Sequence, residues 1–248
     1  MGTFIHGHYL GMDTTKEHYA GLLGLESPWE VTRVKLSVEK TRVDIFVEYG
    51  MSTGRCPECG QICRVYDRSP ERTWRHLDIM QFGTYLHCEP PRTECEEHGI
   101  KTLRLPWAGR HLRFTLSFEA FAINVVLASR SLKDAGDLLG LGWHPLHSIM
   151  KRAVERGLER RGNKDIAWIG MDEKSFRKGH HYISLLNELE EVRVLDVVEG
   201  REGDAADKLI IKALDEGQRE MVCAVAIDMS APFINAIRSH LPNADIRS

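Results

Sequence analysis

The chain has 248 residues, 42% apolar and 28% charged, the make-up of a globular protein with room for two or three small cores. The longest apolar candidate, residues 118–127, is too short to span a bilayer, and no basic stretch leads into an apolar core at the N-terminus, so neither membrane insertion nor secretion is expected and the cytoplasm is. A net charge of −3 conceals a basic middle, +7 over residues 101–164, beside an acidic end, −6 over residues 165–248, which suits polyanion binding next to a cation-dependent site.

Residues 1–24 are polar, with many Gly and His and little periodicity, and read as a flexible lead or a short docking segment. In residues 29–49, Val34, Leu36 and Val38 alternate with polar positions, and Val43, Ile45 and Val47 do so again. Lys40 and Thr41 between them predict a turn, hence a hairpin. Two strands alone need a packing partner, and the cysteine region that follows is expected to supply it.

Without a secretion signal the six cysteines read as thiols or metal ligands rather than as a disulfide framework. Cys56-Pro57-Glu58-Cys59-Gly60 puts two thiols two residues apart with a glycine to open the turn, and Cys95-Glu96-Glu97-His98-Gly99 repeats the spacing with an imidazole. Cys56, Cys59, Cys95 and His98 are therefore expected to hold one structural Zn²⁺, which would supply folding energy to a small unit. Cys63 and Cys88 stay open as rival ligands, and reduced, metal-free cysteines are the plainer alternative. The 35 residues between the pairs are long for a small finger, and residues 74–86 are expected to fill the gap with a hairpin that carries His76 and, at its end, His87. Pro106, Trp107 and Gly109 mark a boundary near residue 110.

Phe114, Phe118, Phe121, Val125 and Ala128 recur at helical spacing. Ser131 then caps a short helix over residues 132–139, Gly140 and Gly142 bracket a turn, and residues 143–159 form a longer helix with Pro145 in its first turn. That layout is a helix-turn-helix, or else an ordinary three-helix packing unit with a charged face. In the first case His144, His147, Ser148 and Lys151 would face the major groove, while Arg152, Arg156, Arg160 and Arg161 would meet phosphates.

Beyond residue 165, apolar runs at 166–171, 182–186 and 192–198 read as three strands joined by tight turns. A helix over residues 204–215, a strand over 221–227, a helix over 231–240 capped by Ser230, and a last strand near 244–246 follow. The order β-β-β-α-β-α is a ribonuclease-H-like arrangement in which the first and fourth strands are neighbours. Asp172 and Asp228, each ending one of them, would then converge and share Mg²⁺ or Mn²⁺. The plainer reading makes each an ordinary acid where a buried strand leaves the core.

Several stretches resemble the ISL3 family of insertion-sequence transposases, which are of the DDE type. They are CPECG at 56–60, PRTECEEHGIKTLRLPWAG at 91–109, RFTLSFEAF at 113–121 and KDAGDLLGLGWHPLHSIMKRAVERGLERR at 133–161, then MDEKSFRKGHHY at 171–182, VVEGR at 197–201 and IDMSAPFINAIRSHLPNADI at 227–246. The resemblance implies a multidomain α+β chain: a zinc-binding β-rich domain at 1–110, a helix-turn-helix domain at 111–164 and a partial ribonuclease-H-like domain at 165–248. It also implies binding to double-stranded DNA at terminal inverted repeats, with metal-dependent cleavage and strand transfer, and Asp172 and Asp228 as the first two catalytic acids. The family's third acid comes later than Ser248, so a truncated transposase without activity of its own is expected. Its roles would be a DNA-binding inhibitor, a partner of itself or of a full-length transposase, or a structural remnant. Near the second strand's end, where the family usually carries an aspartate, stand Asn187 and Glu188. An uncovered sheet edge or apolar patch is expected toward the C-terminus.

Overall fold

The computed structural model describes residues 13–160, 162, 164–177, 181–228 and 231–247. Its contacts divide the chain into two units, Met1–Glu159 and Arg160–Ser248.

The first unit opens with α1 (Asp13–Leu22), a helix within the stretch read as a flexible lead or a short docking segment. Tyr19, Ala20 and Leu23 at and after its end pack on the core of the first sheet, and that burial holds the segment. Strands β1 (Trp29–Ser37) and β2 (Arg42–Tyr49) form the expected hairpin, with Thr41 in the left-handed region at φ 45°. β3 (Thr53–Arg55) and β4 (Ile62–Arg68) flank the first cysteine pair, and β5 (Arg72–Ile79) and β6 (Phe82–Cys88) make a second hairpin. β7 (Pro91–Cys95) and β8 (Gly99–Thr102) flank the second pair.

The strands sort into two sheets, β1-β2-β6-β5 and β3-β4-β7-β8. The hairpin between the cysteine pairs therefore leaves the metal region and pairs with the N-terminal hairpin, β2 beside β6 in parallel. Fully buried Trp74 and Leu86, with Val43, Ile45 and Val47, make its inner face. Trp107 closes that core, meeting Trp29 at 5.0 Å and Trp74 at 5.8 Å, both edge to face.

The stretch near residue 110 is not a loose linker. Arg75 N–H donates to Arg113 O (2.9 Å) and Thr115 N–H donates to Arg75 O (3.0 Å), so residues 113–115 bond to β5. Thr115 then caps α2 (Leu116–Ala128) by accepting from Phe118 N–H, and its hydroxyl lies 2.9 Å from His76 Nδ1. α3 (Leu132–Leu139) is capped by Ser131 and closed by Gly140 in the left-handed region at φ 63°. α4 (Trp143–Glu159) completes the triplet around Phe118, Ala122, Ala135, Leu139, Leu146 and Ile149.

In the second unit, β9 (Trp168–Arg177), β10 (His181–Glu188) and β11 (Arg193–Glu199) form the antiparallel meander. α5 (Gly203–Ala213) and α6 (Glu216–Met221) follow, then β12 (Ala224–Ile227), α7 (Ala231–His240) and β13 (Asp245–Arg247). α6 was not expected; Asp215 starts it with a reciprocal capping box to Gln218, which delays the strand to Ala224. The cap assigned to Ser230 lies outside the described residues. The sheet order is β11-β10-β9-β12-β13, with β12 parallel to both neighbours. Ile169, Met171, Leu186, Leu195, Val225 and Ile227 pack one face of it against α5 and α7. Side chains alternate along a strand, so Trp168, Asp172, Leu185 and Val197 stand on the other face. On that face Trp168 is 53% and Val197 40% exposed.

One buried charge ties the helices together. Glu119 on α2 is 0% exposed and receives Arg152 (2.5 Å) and Arg156 (3.2 Å) from α4. The arginines keep partial contact with solvent and can turn outward; Glu119 cannot. Exchanging Arg152 and Arg156 together for alanine is thus expected to destabilise the first unit by about 3 kcal/mol and Glu119→Leu by less, because only the former strands a buried charge. Urea unfolding of the two variants ranks them, and the reverse order would refute the account.

Candidate metal centre and nucleic-acid interface

Cys56, Cys59, Cys95 and His98 form one cluster, with their ligand atoms all within 4.8 Å of one another. The local backbone explains why. Gly60 and Gly99 follow the two pairs with φ 76° and 65°, a region that glycine enters without strain, so each pair folds into the same tight knuckle. Gly60 N–H donates to Cys56 O (2.9 Å) and Cys56 N–H donates to Gln61 O (2.8 Å), fixing the first knuckle.

Cys59 Sγ lies 3.7 Å from Cys95 Sγ, and Cys95 Sγ lies 3.6 Å from His98 Nδ1. A tetrahedral zinc with bonds of about 2.3 Å to sulfur and about 2.0 Å to nitrogen needs edges of about 3.8 and 3.5 Å. The donor set and its spacing therefore fit Zn²⁺. The His98 side chain bonds to Cys95 and pulls its thiol down to about 6, toward the thiolate that a metal requires.

The rival cysteines separate cleanly. Cys88 is buried in the core of the other sheet, and burial pushes its thiol up to about 12. Cys63 packs against Cys56 and Cys95 but stands outside the group of four. His87 is almost buried, with Nε2 2.6 Å from Asp44, and His76 faces Thr115, so both hairpin histidines have partners of their own.

On α4, His144, His147, Ser148 and Lys151 are exposed and share one face at helical spacing. Trp143 joins them, 58% exposed and stacked on His147 with ring centroids 5.9 Å apart. Sequence reasoning assigns Trp143 only to the start of the helix. The signal that places it on this face is its position one helical turn before His147. Arg152 and Arg156, expected at phosphates, both pair with Glu119. Arg160 is exposed beyond the end of α4, and Arg161 lies outside the described residues.

Asp172 does not end its strand. β9 runs on to Arg177 because β10 pairs with it along almost its whole length, Leu185 opposite Asp172. The parallel neighbour β12 does stop there: Ile227 pairs with Met171, so Asp172 and Asp228 are the next residue on each strand. Both are exposed, and neighbouring strands run about 4.8 Å apart, so the two positions stand side by side at the end of β12. Glu188 is not free to join them. It is buried, accepts from the N–H groups of Glu190 and Glu191 at 2.7 and 3.0 Å, and pairs with Arg193. Among the described residues, the group of four at the knuckles is the one metal-competent cluster of three or more.

A metal-binding ribbon followed by a helix-turn-helix and a mixed α/β unit defines a DNA-binding protein of several parts. Residues 52–98 match the zinc-finger of transposases IS204, IS1001, IS1096 and IS1165, residues 103–154 the helix-turn-helix domain of transposase family ISL3, and residues 169–247 a transposase family. The chain belongs to the ISL3 family of transposases. It is 30% identical over 192 residues to the transposase for insertion sequence element IS1001 of Bordetella parapertussis, covering 77% of this chain and 47% of that protein. It is 26% identical over 194 residues to the transposase for IS1557 of Mycobacterium tuberculosis, covering 77% and 43%. The chain thus spans about half the length of the curated relatives it matches. No described helix is long and apolar enough to cross a membrane.

Purified chain is expected to carry one zinc. Cys56→Ser and Cys95→Ser each weaken zinc binding by more than about 100-fold, since even changes outside the ligand set cost 10- to 100-fold. Cys88→Ser leaves the zinc in place. Metal content and a chelator competition measure both, and equal zinc retention by all three variants would refute the assignment.

Proposed function

We propose that this chain is the DNA-recognition region and the first part of the catalytic region of an insertion-sequence transposase. The three segments are 1–110, which holds Zn²⁺, 111–164, which reads duplex DNA at the element's terminal inverted repeats, and 165–248, a ribonuclease-H-like catalytic region. It works on DNA in the cytoplasm. The observation that carries the reading is the register of β9 and β12, with Asp172 and Asp228 each one step past the pair Met171–Ile227.

His144, His147, Ser148 and Lys151 face the major groove, and Arg152, Arg156, Arg160 and Arg161 meet phosphates. Asp172 and Asp228 would hold Mg²⁺ or Mn²⁺. A divalent cation there supplies Lewis acidity and a clamp on the phosphoryl oxygens, the chemistry of strand cleavage and transfer. The two acids fix that cation at the carboxyl end of β12, on rigid backbone.

A second reading, a chain that binds DNA without cutting it, is favoured by one fact: no third described acid groups with the pair. Such a chain would occupy element ends alone, with a second copy, or with a full-length transposase. A structural or oligomer-forming role is the remaining alternative.

Binding and cleavage of a duplex carrying the element's end, in the presence of Mn²⁺, separate these readings. Asp172→Ala is expected to lower Mn²⁺ affinity at least about tenfold and to abolish any cleavage while leaving DNA affinity unchanged. His147→Ala is expected to cost about 1–3 kcal/mol of preference for the element's end over mixed sequence. Unchanged Mn²⁺ binding and cleavage in Asp172→Ala would sink the catalytic assignment.

A further inference from the structure

Between the metal ribbon and the helices lies a groove that the reading above does not use. Two adjoining depressions, of about 490 and 480 Å³, share Arg72, Thr102 and His111 as walls. Lys101, Arg104 and Arg110 line the first and Arg113 the second, while Glu58 is the one acid on either lining. None of these five Lys and Arg residues forms an ion pair with a described carboxylate. Arg42, Arg75, Arg92, Arg152 and Arg156 of the same unit all do.

Two of the five are fixed by neutral partners. Arg72 donates to Leu112 O at 3.0 Å and lies over the Trp74 ring at 4.8 Å, and Arg104 donates to Pro57 O. His111 is held at φ 61°, a conformation that a non-glycine residue rarely adopts and that concentrates at ligand-binding loops. Like charges gathered on one concave surface repel, and a polyanion relieves that repulsion.

We propose that this groove holds the phosphodiester backbone of duplex DNA outside the stretch met by α4. The inference rests on the reading that α4 binds duplex DNA, and it adds a second contact of different chemistry. Cations without base-reading partners position a duplex rather than specify its sequence. The groove and the helices are also tied to one another. Leu116, the first residue of α2, lines the groove, and residues 113–115 are bonded to β5.

The test uses the zinc-loaded full chain and two duplexes, one of mixed sequence and one carrying the element's end, titrated over a series of salt concentrations. Lys101, Arg110 and Arg113 are exchanged together for glutamine; no described bond depends on their side chains. The K101Q/R110Q/R113Q variant is expected to lower the slope of log K against log salt by about 2–3, near 0.9 per lost phosphate contact. Affinity falls at least tenfold, equally for both duplexes. The charge-conserving K101R/R110K/R113K variant restores the slope, and His147→Ala keeps the slope while losing preference. Zinc content and melting temperature confirm folding; if the triple variant does not fold, R110Q alone is expected to lower the slope by about one. An unchanged slope in the glutamine variants, with preference still lost in His147→Ala, overturns the groove and leaves the helix-turn-helix reading standing. No binding of either duplex by the wild-type chain overturns both.

Discussion

The bonds between β5 and residues 113–115 are the constraint on which the first unit depends. Two backbone hydrogen bonds, one donated and one accepted by Arg75, hold the chain where it passes from the β-rich region into α2. Thr115 then does three things at once: it bonds to Arg75 through its amide, meets His76 through its hydroxyl and caps α2 with the same oxygen. The first helix of the triplet therefore leaves the sheet in a fixed direction. Through Glu119 that direction passes to α4, because Arg152 and Arg156 reach the same buried carboxylate. A DNA-binding helix on a flexible tether would lose orientational freedom on binding; here that freedom is already removed by folding.

The metal cluster acts on a different scale. β3, β4, β7 and β8 bury few large side chains, and the cysteines themselves form their small core. A cluster of three thiols and one imidazole supplies, when it holds zinc, the cross-links that apolar area does not. The inserted hairpin β5–β6 makes this closure more demanding, since Cys95 lies 36 positions beyond Cys59 along the chain. The hairpin does not pair with the ribbon's strands. It completes the neighbouring sheet, so the two halves of the ribbon are held together by the cluster and by β4 pairing with β7.

Periodicity made much of this legible. Val43, Ile45 and Val47 announced a strand, and Ser131 and Gly140 bracketed α3 with the chemistry of a cap and a left-handed stop. The repeated knuckle spacing picked out the four ligands because each glycine sits where the turn needs it. What stayed hidden was set by distant partners. α1 is weakly amphipathic and is held by tertiary packing on the first sheet, which no local pattern records. Arg152 and Arg156 look like any basic helix face until Glu119 is seen buried beneath them. The groove draws its cations from Arg72 and from residues 101–113, which only the fold brings together.

In the second unit the apolar pattern also sets where the acids stand. Met171 and Ile227 are buried and paired, and a slip of one residue in either strand would turn its whole apolar set away from α5 and α7. Burial thus fixes the register, and the register fixes the two acids side by side. The extension of β9 past Asp172 does not disturb this, because the added residues pair with β10 alone. Asp172 stands beside Asp228 where β12 ends, not where its own strand ends. Local sequence could not show this, because the stop belongs to the neighbour.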